Sequence, residues 1–247
     1  MIASDKSTST PNHSLAPIHK AGNRLMSFSG LRYEGRYLSV GESGTIPRLR
    51  VHVMEFGEGP PLLLIHGAGA CGAVWHRQIA ALADTHRVIV PDIPMFGLSD
   101  MPTRVHAPRR QIADVILALM DALHIETSHI AAHSIGALGT LGAIIHAPHR
   151  FKRALLIAPP GFGHGLNYIL RLASIPPLTP FLRYDSKRHR HFFFDRFEAQ
   201  KSGPSEERDA WKELAFHIGN RHNQSQTFRQ AIRTFTGWRK WWRERFL

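Results

Sequence analysis

Cysteine is almost absent: Cys71 is the single one in 247 residues. A lone thiol excludes an internal disulfide framework and suits a reducing compartment, so the chain reads as cytoplasmic. Cys71 sits in a loop of small residues with no evident base beside it, a poor setting for a nucleophile. Long hydrophobic runs are missing too. No stretch approaches the roughly 20 apolar residues of a membrane-spanning helix, and residues 1–23, polar and rich in Ser, Thr, Pro and His, lack the apolar segment of a secretory signal. Acidic residues are scarce: 19 Asp and Glu stand against 31 Lys and Arg, for a formal charge of +12. The cations concentrate in Lys187-Arg188-His189-Arg190-His191 and in residues 229–245. No helix-turn-helix, zinc-finger or RNP-like pattern accompanies them, so the excess reads as a solvated basic face and not as a nucleic-acid surface. Internal repeats are absent.

What is present points to one α/β domain or one domain with an insertion. Residues 1–25 read as a disordered lead, 26–161 as an α/β core and 162–247 as a helical cap region. Residues 31–40 and 48–56 read as strands, and Arg48-Leu49-Arg50-Val51-His52-Val53 alternates as a half-exposed strand does. Leu62-Leu63-Leu64-Ile65 is continuously apolar, the signature of a strand buried on both faces of a parallel sheet. It enters the glycine-rich loop His66-Gly67-Ala68-Gly69-Ala70. A helix is expected over 74–82, a buried strand over 88–90, a helix over 110–123 and a strand over 153–158. Strands alternating with helices predict a doubly wound, mostly parallel sheet. Beyond residue 162, prolines, aromatics and charges mix, with helices expected over 166–173, 206–218 and 225–245. In the last, Phe228, Ile232, Phe235, Trp238 and Trp242 recur at helical spacing, read as a face packed on the core in preference to a membrane-surface helix.

The chain is organised around His129-Ile130-Ala131-Ala132-His133-Ser134-Ile135-Gly136-Ala137-Leu138-Gly139. An apolar run stops at a serine, and small residues follow before a helix expected over 140–146. A serine on a sharp strand-to-helix turn holds its Oγ clear of the backbone, near the free N–H groups of the helix start. Ala132 and Gly136 occupy the two crowded flanking places. His133 is expected to point to the other side of the strand.

Taken together, four landmarks resemble the α/β-hydrolase superfamily, in its cap-bearing branch of small esterases and related hydrolases. They are the apolar strand into His66-Gly67, the Asp92-x-Pro-x-x-Gly97-x-Ser99 loop, the Ser134 elbow, and the strand ending Ala158-Pro159-Pro160-Gly161. The resemblance implies that Ser134 is a nucleophile attacking an acyl carbonyl. It also implies that the backbone N–H groups of Ala68 and Ile135 form the oxyanion hole, and that His66, Gly67 and Asp92 order the loops around it. Ser134 in place of an aspartate argues against the haloalkane dehalogenase and epoxide hydrolase branches. Met95 stands where glycine is usual, so the local backbone is expected to differ. The implied substrate is a small apolar ester or related acyl compound, although relatives also cleave carbon–carbon bonds or act as cofactor-free haloperoxidases. The aromatic residues Phe162, Tyr168, Phe181, Trp211 and Phe216 fit either a substrate pocket or plain packing. No cofactor, metal or nucleic acid is implied, and the oligomeric state is left open.

The family order is serine, then acid, then histidine. After Ser134 no strand followed by Gly-x-x-Asp and no late Gly-His is found. Asp185, Asp195 and Asp209, with His164, His217 and His222, fall in the cap region without matching those places. Asp185 with His189 and His191 reads as a solvated cluster and not as a metal site. The expectation is a shortened or split hydrolase with very weak or no esterase activity, and an apolar edge left exposed at 153–158. The other class of function considered is a catalytically impaired homologue that binds a small ligand or a protein.

Overall fold

Residues 15–41, 47–102, 108–160 and 205–221 are described by the computed structural model. The sheet grows outward from β3 (Pro61–Ile65), where Leu63, Leu64 and Ile65 have no more than 1% of their surface exposed. β4 (Arg87–Pro91) and β5 (Ser128–His133) run parallel to it on either side, and β6 (Phe151–Ile157) lies parallel to β5. On the other flank β2 (Leu49–Phe56) pairs antiparallel with β4, and β1 (Arg36–Val40) antiparallel with β2. The order is β1-β2-β4-β3-β5-β6 in a six-stranded mixed sheet. The buried apolar run of β3 explains its central place, since a strand covered on both faces has no need of alternating polar residues.

Helices α2 (His76–Leu82), α3 (Pro108–Ala122), α4 (Ile135–His146) and α5 (Ser205–Gly219) follow in chain order after α1 (Ala16–Ser27). No described helix is long and apolar enough to cross a membrane. Because β3, β4 and β5 are parallel, their carboxyl ends deliver three loops to one end of the sheet. These are the loop after Ile65, the loop after Pro91, and the turn at Ser134. That end is where open α/β sheets place their ligands.

Several expectations are corrected. Residues 16–25 are not a disordered lead but most of α1, which buries Ile18, Ala21, Gly22, Leu25 and Met26. Those positions recur at i, i+3, i+4, i+7 and i+8, one stripe of a helix, with a proline in the first turn where its missing N–H costs nothing. Each large side chain so buried contributes about 1.5–3 kcal/mol. α1 packs against α5, whose Ala210, Leu214 and Ile218 join the same core, and Arg24 pairs with Glu213 at 2.5 Å. β2 is not half-exposed either: His52, on its outward-reading register, is 2% exposed because Tyr33 and Tyr37 pack their rings against it. The strand expected over 31–40 is restricted to Arg36–Val40, and the helix expected over 140–146 begins at Ile135, directly after the serine. The helix expected over 74–82 opens as a 3-10 turn at Gly72–Trp75 before α2. The helices expected over 166–173 and 225–245 lie outside the described residues.

Candidate active site

β5 presents Ile130 and Ala132 to the core and ends at His133, where the chain turns within a single residue. Ser134 makes the turn with φ 53° and ψ −121°, a left-handed conformation that side chains other than glycine rarely adopt and that costs on the order of 1–3 kcal/mol. Two bonds hold it there. The Ser134 N–H donates to the Ile157 carbonyl at the end of β6 (2.9 Å), and its own carbonyl accepts from Leu138 N–H (3.1 Å), the first bond of α4. The Ile135 N–H, at the first position of α4, is one of the donors a helix start leaves without an internal acceptor.

The turn lies against the end of β3 and the loop that follows it. A Cβ on Gly136 would run into the His66 carbonyl oxygen and stand 2.8 Å from Ile65 Cγ2, so the first turn of α4 lies directly on the end of β3. A Cβ on Gly67 would stand 3.1 Å from Ser134 Cβ and 2.8 Å from His133 Nδ1. The Gly67 backbone therefore abuts the serine, with exposed Ala68 next in the chain. His133 lies beside that loop, and burial holds its pKa below the usual histidine value.

His66 is fully buried and both of its ring nitrogens are engaged. Nδ1–H donates to the Gly67 carbonyl (2.8 Å), and Nε2 accepts from Ile93 N–H (2.8 Å). The pair of bonds fixes one tautomer and ties the loop after β3 to the loop after β4. Burial lowers the pKa of His66 against the opposing pull of Asp92, so the ring is neutral and has no lone pair to offer a hydroxyl. A stability consequence follows. A folded pKa below the unfolded value near 6.5 means that the unfolded chain binds the proton first. The contribution is therefore intact above about pH 6.5 and is lost as pH falls toward the folded value. His76 moves the same way, chiefly through burial. Urea unfolding between pH 7.5 and 5 should show stability falling with acid at about 1.4 kcal/mol per pH unit per proton; a flat profile across that range would refute it.

Asp92 is the anchor of the same end. Its Oδ1 accepts from Gly72 N–H (2.7 Å), and its Oδ2 from Leu98 N–H (2.8 Å), His52 Nδ1–H (3.1 Å) and the Tyr33 hydroxyl. Burial alone would raise its pKa. The His52 hydrogen bond, the electrostatic pull of the His52 and His66 rings and the Gly72 N–H outweigh burial and hold it below the usual carboxylate value. Ser99 closes the network, donating to the Asp92 carbonyl (2.6 Å) and accepting from His52 N–H (2.8 Å). Ser99 stood in the Asp92 loop landmark, whereas Tyr33 and His52 carried no signal that assigned them to this network. The Met95 backbone takes φ 91°, in the left-handed region that favours glycine, and its side chain is buried. Arg221, two residues past α5, donates to the Gly97 carbonyl (3.1 Å). Cys71 is buried, and burial followed by the Asp92 charge pushes its thiol up, away from the reactive thiolate.

Among the described residues, no side chain is hydrogen-bonded to Ser134 Oγ, and no group of three or more His, Cys, Asp or Glu could hold a metal ion. His217 and Asp209 lie on α5. His164, Asp185, His189, His191, Asp195 and His222 lie outside the described residues.

The chain is similar in sequence and in fold to known hydrolases. The chain is 30% identical over 135 residues to the 2-hydroxy-6-oxo-6-phenylhexa-2,4-dienoate hydrolase of Burkholderia cepacia, covering 53% of this chain and 47% of that protein. It is 30% identical over 139 residues to the uncharacterized carboxylesterase nap of Bacillus subtilis, covering 56% and 44%. The chain thus matches just under half the length of these curated relatives. The crystal structure of the carboxylesterase CesB from Bacillus subtilis superposes with a TM-score of 0.69 at 20% identity, covering 85% of this chain and 70% of that one, a likeness of fold. A family profile for the alpha/beta hydrolase fold spans residues 60–239, taking in β3, the Asp92 loop, the Ser134 turn and α5, and on that extent of agreement the chain belongs to the alpha/beta hydrolase fold family.

Proposed function

We propose that the protein is a serine hydrolase of small apolar esters or related acyl compounds, with Ser134 as nucleophile and the N–H groups of Ala68 and Ile135 as the oxyanion hole. The observation that carries this reading is the Ser134 backbone, held at φ 53° between β5 and α4 with Gly67 packed against it. Strain of that kind persists where surrounding structure over-determines it, and such residues cluster at reacting centres. The relatives' names agree in chemistry: one is a hydrolase of a 6-oxo-6-phenyl dienoate and the other a carboxylesterase, so both names describe hydrolysis of a carbonyl compound.

In the proposed reaction Ser134 Oγ attacks the carbonyl carbon, and negative charge develops on the carbonyl oxygen. Preset donors at Ala68 and Ile135 stabilise that charge without reorganising; one such donor is worth about 3 kcal/mol in comparable sites. Collapse of the tetrahedral intermediate breaks the bond to the leaving alkoxide, which takes up a proton. Water then hydrolyses the acyl-serine to the acid. The hydroxyl proton must pass to a base other than His66, whose nitrogens both serve the loops, and other than Asp92, whose oxygens accept four donors. The scheme uses no metal or cofactor, and residues 162–247 are read as the cap over the substrate. Hydrolysis of p-nitrophenyl butyrate that falls to the buffer rate in Ser134→Ala, with the fold retained, is the expected result. Turnover unchanged in that variant would overturn the assignment.

A further inference from the structure

We propose that His133 is a positioning residue for the reaction at Ser134: with the serine it forms a fork that grips the bare Cα of Gly67, and so sets where the Ala68 N–H stands. The role rests on the reading of Ser134 as nucleophile and of Ala68 as an oxyanion donor.

Consecutive side chains of an extended strand leave on opposite faces. At the end of β5 that alternation fails, because Ser134 turns at φ 53°. His133 Nδ1 and Ser134 Cβ come to one place, the position that a Cβ on Gly67 would take, at 2.8 and 3.1 Å from it. His133 Cε1 follows at 3.4 Å. The φ of Gly67 does not lie in the left-handed region, so its backbone would accept a side chain. Glycine is needed here because two side chains close on it, and not for its conformational freedom.

The oxyanion donor is the next group along. The Gly67 carbonyl and the Ala68 N–H belong to one planar peptide and point opposite ways. His66 Nδ1–H holds the carbonyl at 2.8 Å, and His66 Nε2 is itself tied to Ile93 N–H at 2.8 Å. The Ala68 N–H is thereby aimed away from His66. Its distance from the serine is set at the other anchor, the Gly67 Cα in the fork. Such a donor acts at about 2.7–3.1 Å from the developing oxyanion, and a misplacement of about 1 Å costs on the order of a hundredfold in rate. Truncating His133 leaves room on one side of Gly67, and the small residues Gly67-Ala68-Gly69-Ala70 offer little to hold the loop in place. Charge on the carbonyl oxygen develops only in the transition state, so the loss falls on kcat and not on KM.

The parent, His133→Ala, Gly67→Ala and the double variant form the test, each measured for p-nitrophenyl butyrate turnover and for its urea midpoint. Each single variant should lose about tenfold or more in kcat, with KM within about threefold of the parent. In the double variant the added methyl group takes the space the ring gave up, so kcat should recover about fivefold or more over Gly67→Ala. Single losses that multiply in the double variant, or parental kcat in His133→Ala, overturn the proposal. So does a swap that restores the urea midpoint but not kcat, since the contact would then serve stability alone. A parent without Ser134-dependent turnover overturns the reading of Ser134 and takes the positioning role with it. The midpoints tell the two failures apart: coupling between Gly67 and His133 in unfolding persists when only the chemistry is wrong, and vanishes when the contact is wrong.

Discussion

Asp92→Asn is expected to destabilise the protein by on the order of 3–5 kcal/mol, most of the stability of an ordinary domain. The carboxylate is fully buried and receives two backbone N–H groups, an imidazole N–H and a phenol hydroxyl. An amide of the same shape keeps one acceptor and turns two hydrogens toward groups that are themselves donors. Either orientation leaves buried donors facing donors, and an unmade buried hydrogen bond costs more than a made one gains. Tyr33→Phe is the control. It removes one donor and leaves no new unpaired group on its own side, so its cost should stay near 1–2 kcal/mol. Urea midpoints of the two variants give the comparison, and equal losses would contradict the placing of Asp92 as the hub. The pH dependence has a definite sign. The folded pKa of Asp92 is below the unfolded value, so its contribution is complete above about pH 4 and disappears as pH falls through the folded value. The histidine-linked loss precedes it, at higher pH.

Ser134→Gly should stabilise the protein while destroying its reactivity. The φ of 53° and ψ of −121° at this position cost a side chain on the order of 1–3 kcal/mol, and glycine adopts them freely. Glycine also adds flexibility to the unfolded chain, worth about 0.5–1 kcal/mol in the other direction, so a net gain of about 1 kcal/mol is expected. Ser134→Ala keeps the Cβ and with it the strain, so its stability should stay within about 0.5 kcal/mol of the parent. Both variants lose the hydroxyl. Thermal or urea unfolding with the order Gly above Ala and Ser is the expected result. A glycine variant less stable than the alanine variant would mean that the turn is not strained.

How much of this was legible in the sequence depends on how local the physics is. Leu62-Leu63-Leu64-Ile65 declares itself, because a run of four apolar residues between turn signals has only one comfortable place in an α/β sheet. The Ser134 turn is nearly as plain, since an apolar strand that halts at a serine among small residues leaves the backbone few paths. The start of α4 was misjudged because Gly136 and Gly139 resemble a linker. In the fold they are helical positions, where a Cβ would strike the end of β3 and Ile112 of α3. α1 was hidden in another way: its stripe of Ile18, Ala21, Leu25 and Met26 was present, but the polar, proline-bearing stretch before it dominated the composition. Missing α1 carried a second error with it. His52 alternates outward along β2, and Tyr33, just beyond α1, is what covers it. The partners of Asp92 were out of reach, because Tyr33 and His52 stand 59 and 40 residues away in the chain. No periodicity or motif encodes a contact of that kind.

The measurement that bears most directly on the central claim is covalent labelling by a fluorophosphonate, with the modified residue located by peptide mass spectrometry. A serine hydroxyl activated and faced by two backbone N–H groups reacts, so a single label on Ser134, absent from Ser134→Ala and Ser134→Gly, is the predicted result. A folded protein that stays unlabelled, or carries its label on another residue, would contradict it.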